Sequence, residues 1–214
     1  MTLVKICGIT SLDDARAAIE AGADMLGFNF YRPSPRFIEP SAVRTIIESL
    51  RAEDTETITT LGVFVNEASP ESVLEIVAEA GVGGVQLHGD ESVEFCQSLK
   101  QLLNGRLLIK VLRVAKTFAP SDVERYDADA IMLDSFHSEL RGGTGQVIDW
   151  TVARSARELG ARLILAGGLS AANVAEAIAQ VKPYAVDACS LLESVPGRKD
   201  VTQMKAFVEA VRNG

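Results

Sequence analysis

Eight short apolar runs of strand type recur along the chain, and a helix-type pattern follows nearly every one of them. Most of the runs are continuously apolar rather than alternating, which is typical of parallel strands covered on both faces. The runs span residues 3–7, 25–29, 59–65, 82–87, 107–112, 130–134, 162–166 and 185–187. This pattern predicts an α/β fold, a (β/α)8 barrel forming one domain over residues 1–214. The alternative, a doubly wound open sheet, commonly has fewer strands and a switch point.

Helix caps support this alternation. Serine or aspartate at an N-cap marks a helix start, and a glycine just past the last apolar position marks its end. Gly22 and Gly81 are in this place for the first and third predicted helices. The segment 119–126 is short and proline-led, so only a weak helix is predicted after the fifth run. The clearest predicted helix starts are Ser11, Ser69, Ser170 and Asp200.

Charge and composition exclude several classes of partner. The net charge of −8 argues against nucleic acid, because phosphate backbones attract a basic face. No apolar run approaches the roughly 18 residues of a membrane span, and we expect neither a membrane partner nor a signal peptide. The cysteines Cys7, Cys96 and Cys189 form no CxxC pair. They fit a cytoplasmic protein with neither a disulfide framework nor a zinc site.

Two side chains that suit acid–base chemistry end strands of the predicted barrel, where such folds hold their sites. Cys7 ends the first run and Asp134 the sixth. A free cysteine there is often only a small buried hydrophobe, and a carboxylate can simply cap or brace a loop. A thiolate becomes a base where a nearby cation lowers its pKa. Lys5 shares the strand face of Cys7 and could serve, or it could pair with Asp187 inside the barrel.

Loops after the strands carry groups that bind anions. Prolines stiffen the loop around Arg36, whose guanidinium suits a planar carboxylate, although most arginines are surface residues. Glycine pairs and a possible short helix follow the last three strands, where backbone N–H groups can bind a phosphate. Each glycine pair alone is also explained by a turn. The candidate phosphate-binding residues are Gly143, Gly145, Gly167, Gly168 and Ser190.

The two histidines do not point to a metal. His88 and His137 have no partner at metal-ligand spacing, so no metal site is predicted. His88 is expected to be a hydrogen-bonded loop histidine rather than a base.

Short motifs recur in a characteristic order. They are KICGI at 5–9, GFNF at 27–30, SPR at 34–36, GVFVN at 62–66, VQLHG at 85–89, LD at 133–134, GGTG at 142–145, AGGL at 166–169, VD at 186–187 and PGRKD at 196–200. In this order, over nearly the full length, the chain resembles the phosphoribosylanthranilate isomerase family of tryptophan biosynthesis. The resemblance implies a cofactor-free Amadori rearrangement of N-(5-phosphoribosyl)anthranilate, a small phosphorylated substrate. It also implies that Cys7 is the general base, that Asp134 is the general acid, and that Arg36 holds the anthranilate carboxylate.

One segment departs from the family pattern. The family usually reads Ser-Ser-Gly-Val-Glu where residues 189–193 read Cys-Ser-Leu-Leu-Glu. Leu191 therefore replaces a glycine, and leucine disfavours positive φ and adds bulk. We expect the phosphate to bind still, through Gly167, Gly168, Ser190 and a shifted Leu191 amide.

Other functions remain as alternatives. A related aminoaldose isomerase of histidine synthesis is expected to use an aspartate at the end of the first strand, so Cys7 argues against it. A non-catalytic barrel that binds a phosphorylated ligand is the other alternative, motivated by Leu191. A monomer and a homodimer both fit the sequence.

Overall fold

Eight parallel strands close into a barrel in chain order, with β1 paired to both β2 and β8. The computed structural model describes residues 1–53, 58–115, 117–135 and 148–214. The strands are β1 Leu3–Cys7, β2 Met25–Asn29, β3 Thr59–Phe64, β4 Gly84–Leu87, β5 Leu107–Val114, β6 Ala130–Ser135, β7 Leu163–Leu165 and β8 Ala185–Ala188. The closed parallel barrel confirms the predicted fold, and the open sheet is excluded.

Helices cover the outside of the barrel. They are α1 Leu12–Ala21, α2 Pro40–Ala52, α3 Pro70–Ala80, α4 Val93–Leu102, α5 Trp150–Glu158, α6 Val174–Val181 and α7 Val201–Asn213. Ser11 and Ser69 cap α1 and α3 as predicted, and Gly22 and Gly81 end them in the left-handed conformation. The weak helix after β5 is a 3₁₀ turn, Pro120–Arg125. In the described ranges, no helix is long and apolar enough to cross a membrane.

The start of α6 differs from the prediction. Ser170 does not begin the helix, which starts at Val174. The Ser170 amide donates to the side chain of Asn173 at 2.9 Å, and its carbonyl accepts from the Val174 amide at 3.0 Å. Ser170 therefore closes a separate turn before the helix, because short polar side chains compete for local backbone groups.

An antiparallel hairpin that sequence patterns did not predict follows β8. Its strands are β9 Glu193–Val195 and β10 Arg198–Lys199, and the register places Lys199 opposite Glu193. Gly197 turns between them with a φ of 84°. The hairpin brings one acidic and one basic side chain back to the carboxyl end of the barrel.

Alternation along the strands separates two sets of buried side chains. One set packs beneath the helices, and the other fills the barrel. The apolar members of the inner set are Met25, Leu61, Ile109, Val111, Ala130, Met132, Ile164, Ala166 and Ala185. Lys5 is fully buried and bonded to Asp187, so the two form a charged pair among buried side chains.

Candidate active site

A recess of about 670 Å³, counting the part open to solvent, lies at the carboxyl end of the barrel. The predicted site residues that line it are Cys7, Arg36, Asp134, Gly167, Gly168, Asp187 and Ser190. Lys5 is fully buried within bonding distance of this lining. Gly143 and Gly145 lie outside the described residues.

Cys7, at the end of β1, has a lysine beside its sulfur. Lys5 faces the same way, and its Nζ donates to Asp187 Oδ1 at 2.8 Å. A Cβ on Gly27 would lie 3.0 Å from that Nζ and 2.8 Å from the Cys7 sulfur, so the two groups are neighbours. Burial lowers the pKa of Lys5, but the charges of Asp187 and Cys7 outweigh it and keep that pKa above its ordinary value. Burial raises the pKa of Asp187 to about 6, although Lys5 opposes this. Lys5 thus interacts with both of the partners predicted for it from the sequence, Cys7 and Asp187.

Cys189 is a site residue that sequence analysis did not identify. The interaction of its thiol with the sulfur of Cys7 is the largest influence holding the pKa of Cys7 well below its ordinary value. Burial opposes that effect, and the charges of Lys5 and Lys199 add to it. The same interaction raises the pKa of Cys189 well above its ordinary value. Of the two thiols, Cys7 is therefore the one that ionises more readily, and Cys189 is the one that keeps its proton.

Asp134 is held by a neighbouring histidine. Its Oδ1 accepts from the Ser135 amide at 2.8 Å, and its Oδ2 is 3.2 Å from His88 Nε2. The Gln86 amide donates to His88 Nδ1 at 3.2 Å. In a neutral imidazole this places the proton on Nε2, towards Asp134. His88 is the hydrogen-bonded loop histidine that was expected, and its partner is the candidate acid.

Arg36 meets the hairpin at the rim of the recess. Its Nε and Nη2 donate to the two carboxylate oxygens of Glu193, at 2.8 and 2.7 Å. Lys199 donates to Glu193 at 2.8 Å and to the carbonyl of Cys189 at 3.2 Å. Two cations around one carboxylate leave a net positive charge beside the recess. In the sequence, Glu193 and Lys199 stand out only as members of motifs, because nothing local links them to Arg36.

The candidate phosphate loops adopt backbone that needs glycine. Gly167 and Gly168 have φ of 86° and 65°, and a Cβ on Gly167 would lie 2.7 Å from the Ser135 amide nitrogen. Leu191 belongs to a right-handed 3₁₀ turn, Ser190–Leu192, so a leucine there is unstrained. Its side chain is 42 % exposed and lines the recess. The expected conflict between leucine and positive φ does not arise.

The site combines proton-transfer groups with cations. The Cys7 thiolate comes from β1, and the Asp134 carboxyl comes from β6, across the barrel. Such a pair suits removal of a proton from one atom of a bound molecule and donation to another. Among the described residues, no group of three or more His, Cys, Asp and Glu side chains is arranged to hold a metal ion.

Comparison with known proteins gives the family. A family model described as N-(5'phosphoribosyl)anthranilate (PRA) isomerase matches residues 4–210. The N-(5'-phosphoribosyl)anthranilate isomerase of Trichlorobacter lovleyi is 44% identical over 208 residues, 97% of each chain. That of Geobacter sulfurreducens is 42% identical over 212 residues, 99% of each chain.

Solved structures agree with the sequence comparison. The phosphoribosyl anthranilate isomerase of Thermus thermophilus superposes with a TM-score of 0.88 at 33% identity, over 99% of both chains. A second structure is a phosphoribosyl anthranilate isomerase in complex with reduced 1-(o-carboxyphenylamino)-1-deoxyribulose 5-phosphate. It superposes with a TM-score of 0.83 at 36% identity, over 100% of both chains. The Thermotoga maritima relative is described as dimeric. The chain belongs to the N-(5'-phosphoribosyl)anthranilate isomerase family.

Proposed function

We propose that the chain converts N-(5'-phosphoribosyl)anthranilate to 1-(o-carboxyphenylamino)-1-deoxyribulose 5-phosphate by an Amadori rearrangement. This is the third step of tryptophan synthesis from chorismate. The observation that carries the proposal is the Cys7 thiolate facing a recess that also holds the Asp134 carboxyl. A relative of known structure binds the reduced form of this product, which supports the same ligand for this chain.

Asp134 is the general acid of the first step. It protonates the furanose oxygen, the ring C–O bond breaks, and the nitrogen lone pair forms a Schiff base at C1. His88, through its Nε2 proton, holds the carboxyl in place for this transfer. A positioned acid contributes most when it lies within hydrogen-bond reach of the atom that it protonates.

Cys7 is the general base of the second step. Its thiolate removes the proton from C2 of the opened ribose, and the electron pair of that C–H bond forms the enolamine, which tautomerises to the ketone. Lys5 and Cys189 stabilise the thiolate before it accepts the proton. A thiol whose pKa is lowered supplies a thiolate base at a smaller cost of deprotonation.

The remaining candidates hold the two ends of the substrate. Arg36, oriented by Glu193, binds the anthranilate carboxylate with the N–H groups that Glu193 does not use, and the extra charge of Lys199 favours an anion there. Backbone amides of the loops bind the phosphate. The proposed phosphate residues are Gly143, Gly145, Gly167, Gly168, Ser190 and the Leu191 amide.

A fluorescence assay that follows loss of the substrate tests the proposal. We expect turnover by the wild type, and little turnover by Cys7→Ser and Asp134→Asn. A Cys7→Ser variant with full kcat would contradict the role of the base. Ligand binding without any turnover by the wild type would instead favour a non-catalytic phosphate-ligand barrel. The cytoplasmic location remains a prediction.

A further inference from the structure

Cys7 and Cys189 face each other across two neighbouring strands. In the parallel pairing of β1 and β8, Lys5 lies opposite Asp187, and their side chains meet at 2.8 Å inside the barrel. Two residues further along, Cys7 ends β1 and Cys189 directly follows β8, so the two lie next to each other at the carboxyl end of the barrel. Both side chains line the same recess, and the Cys189 side chain is the largest influence on the pKa of Cys7.

The spacing of the two backbones suits a covalent bond between the sulfurs. Neighbouring strands lie about 4.8 Å apart, and disulfides join Cα atoms about 4.4 to 6.8 Å apart. Glycines leave room for both sulfurs. A Cβ on Gly27 would lie 2.8 Å from Cys7 Sγ, and one on Gly8 would lie 3.0 Å from Cys189 Sγ.

We propose that Cys7 and Cys189 form a site of reversible covalent modification, which closes as an intramolecular disulfide when the chain meets a peroxide. The Cys7 sulfur attacks one oxygen of hydrogen peroxide, the O–O bond breaks, and hydroxide leaves. The sulfur is oxidised to a sulfenic acid and the peroxide is reduced. The Cys189 sulfur then attacks the Cys7 sulfur, the S–S bond forms and the S–O bond breaks. The oxygen that leaves Cys7 takes the Cys189 proton and departs as water, and the hydroxide released in the first step takes up the proton that Cys7 lost to solvent on ionising. Two thiols and one peroxide therefore give one disulfide and two waters.

The charges around the pair assign the order of attack. Both cysteines line the recess, and Cys7 reacts first with a small oxidant because its pKa is the lowered one of the two and the thiolate is the reactive form. Cys189 holds its proton because the neighbouring thiolate raises its pKa. Once Cys7 is a neutral sulfenic acid, no neighbouring thiolate holds the proton on Cys189. Lys199 Nζ, 3.8 Å from Cys189 Sγ, then favours the Cys189 thiolate that closes the bond.

Closure removes the base that the proposed isomerisation requires, so turnover stops until the disulfide is reduced. Only this loss of turnover rests on the proposed function. The thiol chemistry is measured separately, by counting thiols and mapping linked peptides.

Cys96 provides a matched control. It is a free cysteine on α4 with no exposed surface, and burial raises its pKa to about 11. A buried protonated thiol reacts slowly with peroxide. The Cys96→Ala variant should therefore close in the same way as the wild type.

The experiment treats the reduced chain with hydrogen peroxide, then counts free thiols after denaturation and maps disulfide-linked peptides. We expect the wild type to fall from three thiols to one, with a single link between the Cys7 and Cys189 peptides. Turnover should be lost and then regained with dithiothreitol. In Cys96→Ala, both remaining thiols should enter the same link. In Cys189→Ser, Cys7 should pass to higher oxidation states that dithiothreitol does not reverse.

Three results would overturn the proposal: a link that includes Cys96, links only between chains, or oxidation of Cys7 with Cys189 left free. If Cys189→Ser fails to give a native circular dichroism spectrum, Cys189→Ala replaces it. The linkage map of the wild type decides the question without either variant.

Discussion

Arg36 and Glu193, 157 residues apart in the chain, are joined by two parallel hydrogen bonds of 2.8 and 2.7 Å. The Glu193 side chain is 3 % exposed and that of Arg36 is 15 % exposed, so little water screens the pair. A bidentate pair fixes the plane of the guanidinium as well as its position. The hairpin after β8 thereby orients an arginine that belongs to the loop after β2.

Glu193→Gln should weaken substrate binding more than it slows chemistry. The variant leaves Arg36 and Lys199 without the carboxylate between them, so the guanidinium loses its fixed direction. We expect KM to rise about tenfold, equivalent to roughly 1.4 kcal/mol, with a smaller change in kcat. Steady-state kinetics measure both.

The Arg32–Glu39 pair gives the control for this prediction. Its side chains are 75 % and 51 % exposed, and exposed pairs contribute about 0 to 1 kcal/mol. Glu39→Gln should leave KM within about twofold of the wild type. A Glu193→Gln variant that behaves like Glu39→Gln would show that the hairpin does not position Arg36.

Cys189→Ala should move the acid limb of the pH profile. The thiolate of Cys7 is the active form of the base, and the interaction with Cys189 holds the pKa of Cys7 below its ordinary value. Without that interaction the pKa of Cys7 rises, so activity falls off at a higher pH than in the wild type. We expect kcat/KM to recover towards alkaline pH, which a pH series from acid to alkaline buffers would show. An unchanged acid limb would count against this role of Cys189.

Asp187→Asn should remove one component of the pH dependence of stability. Burial raises the pKa of Asp187 to about 6, so the folded chain binds this proton more tightly than the unfolded chain does. The contribution of Asp187 is present below its unfolded pKa, near 4, and is lost as the pH rises to about 6. Urea unfolding across this pH range should show that the free energy of unfolding of the wild type minus that of the variant declines as the pH rises. A difference that grows with pH would contradict the assignment.

His88→Ala should lower kcat with little change in KM. The imidazole of His88 donates to Asp134 and is also one of the groups that line the recess. Loss of one hydrogen bond that positions the acid, about 1 kcal/mol, corresponds to about a fivefold fall in kcat. The kcat of Asp134→Asn, which removes the proposed acid itself, should fall much further. Equal losses in the two variants would mean that His88 does more than hold Asp134.

Gly167→Ala should raise KM through the phosphate loop. A Cβ there would lie 2.7 Å from a backbone nitrogen at a φ of 86°. Gly160 is a matched control, because its φ is 91° but nothing lies within 4 Å of its Cβ position. Both variants should lose about 1 kcal/mol of stability from the left-handed conformation, and Gly167→Ala should lose more because its Cβ must displace the Ser135 backbone. Only Gly167→Ala should raise KM. Competition by inorganic phosphate would show whether the variant binds phosphate more weakly than the wild type.

The order and spacing of the strands and helices were predictable because they depend on local properties of the sequence. Parallel strands buried on both faces need continuous apolar runs, and serine and glycine caps act within one turn of α1 and α3. Strand ends gather at one face of any such barrel, which put Cys7 and Asp134 among the candidates. Local competition also explains the one wrong start, at Ser170, where a side-chain turn precedes α6.

The partners of those residues follow from closure of the barrel and cannot be obtained from local pattern. Pairing β1 with β8 brings Lys5 to Asp187, 182 residues away, and sets Cys189 against Cys7 in the same step. The hairpin after β8 then folds back to Arg36. Each contact joins distant segments, and its effect on pKa depends on burial and on charges supplied by other strands. A one-dimensional pattern identifies the reactive side chains, whereas the three-dimensional arrangement determines which of them is charged and which holds the proton.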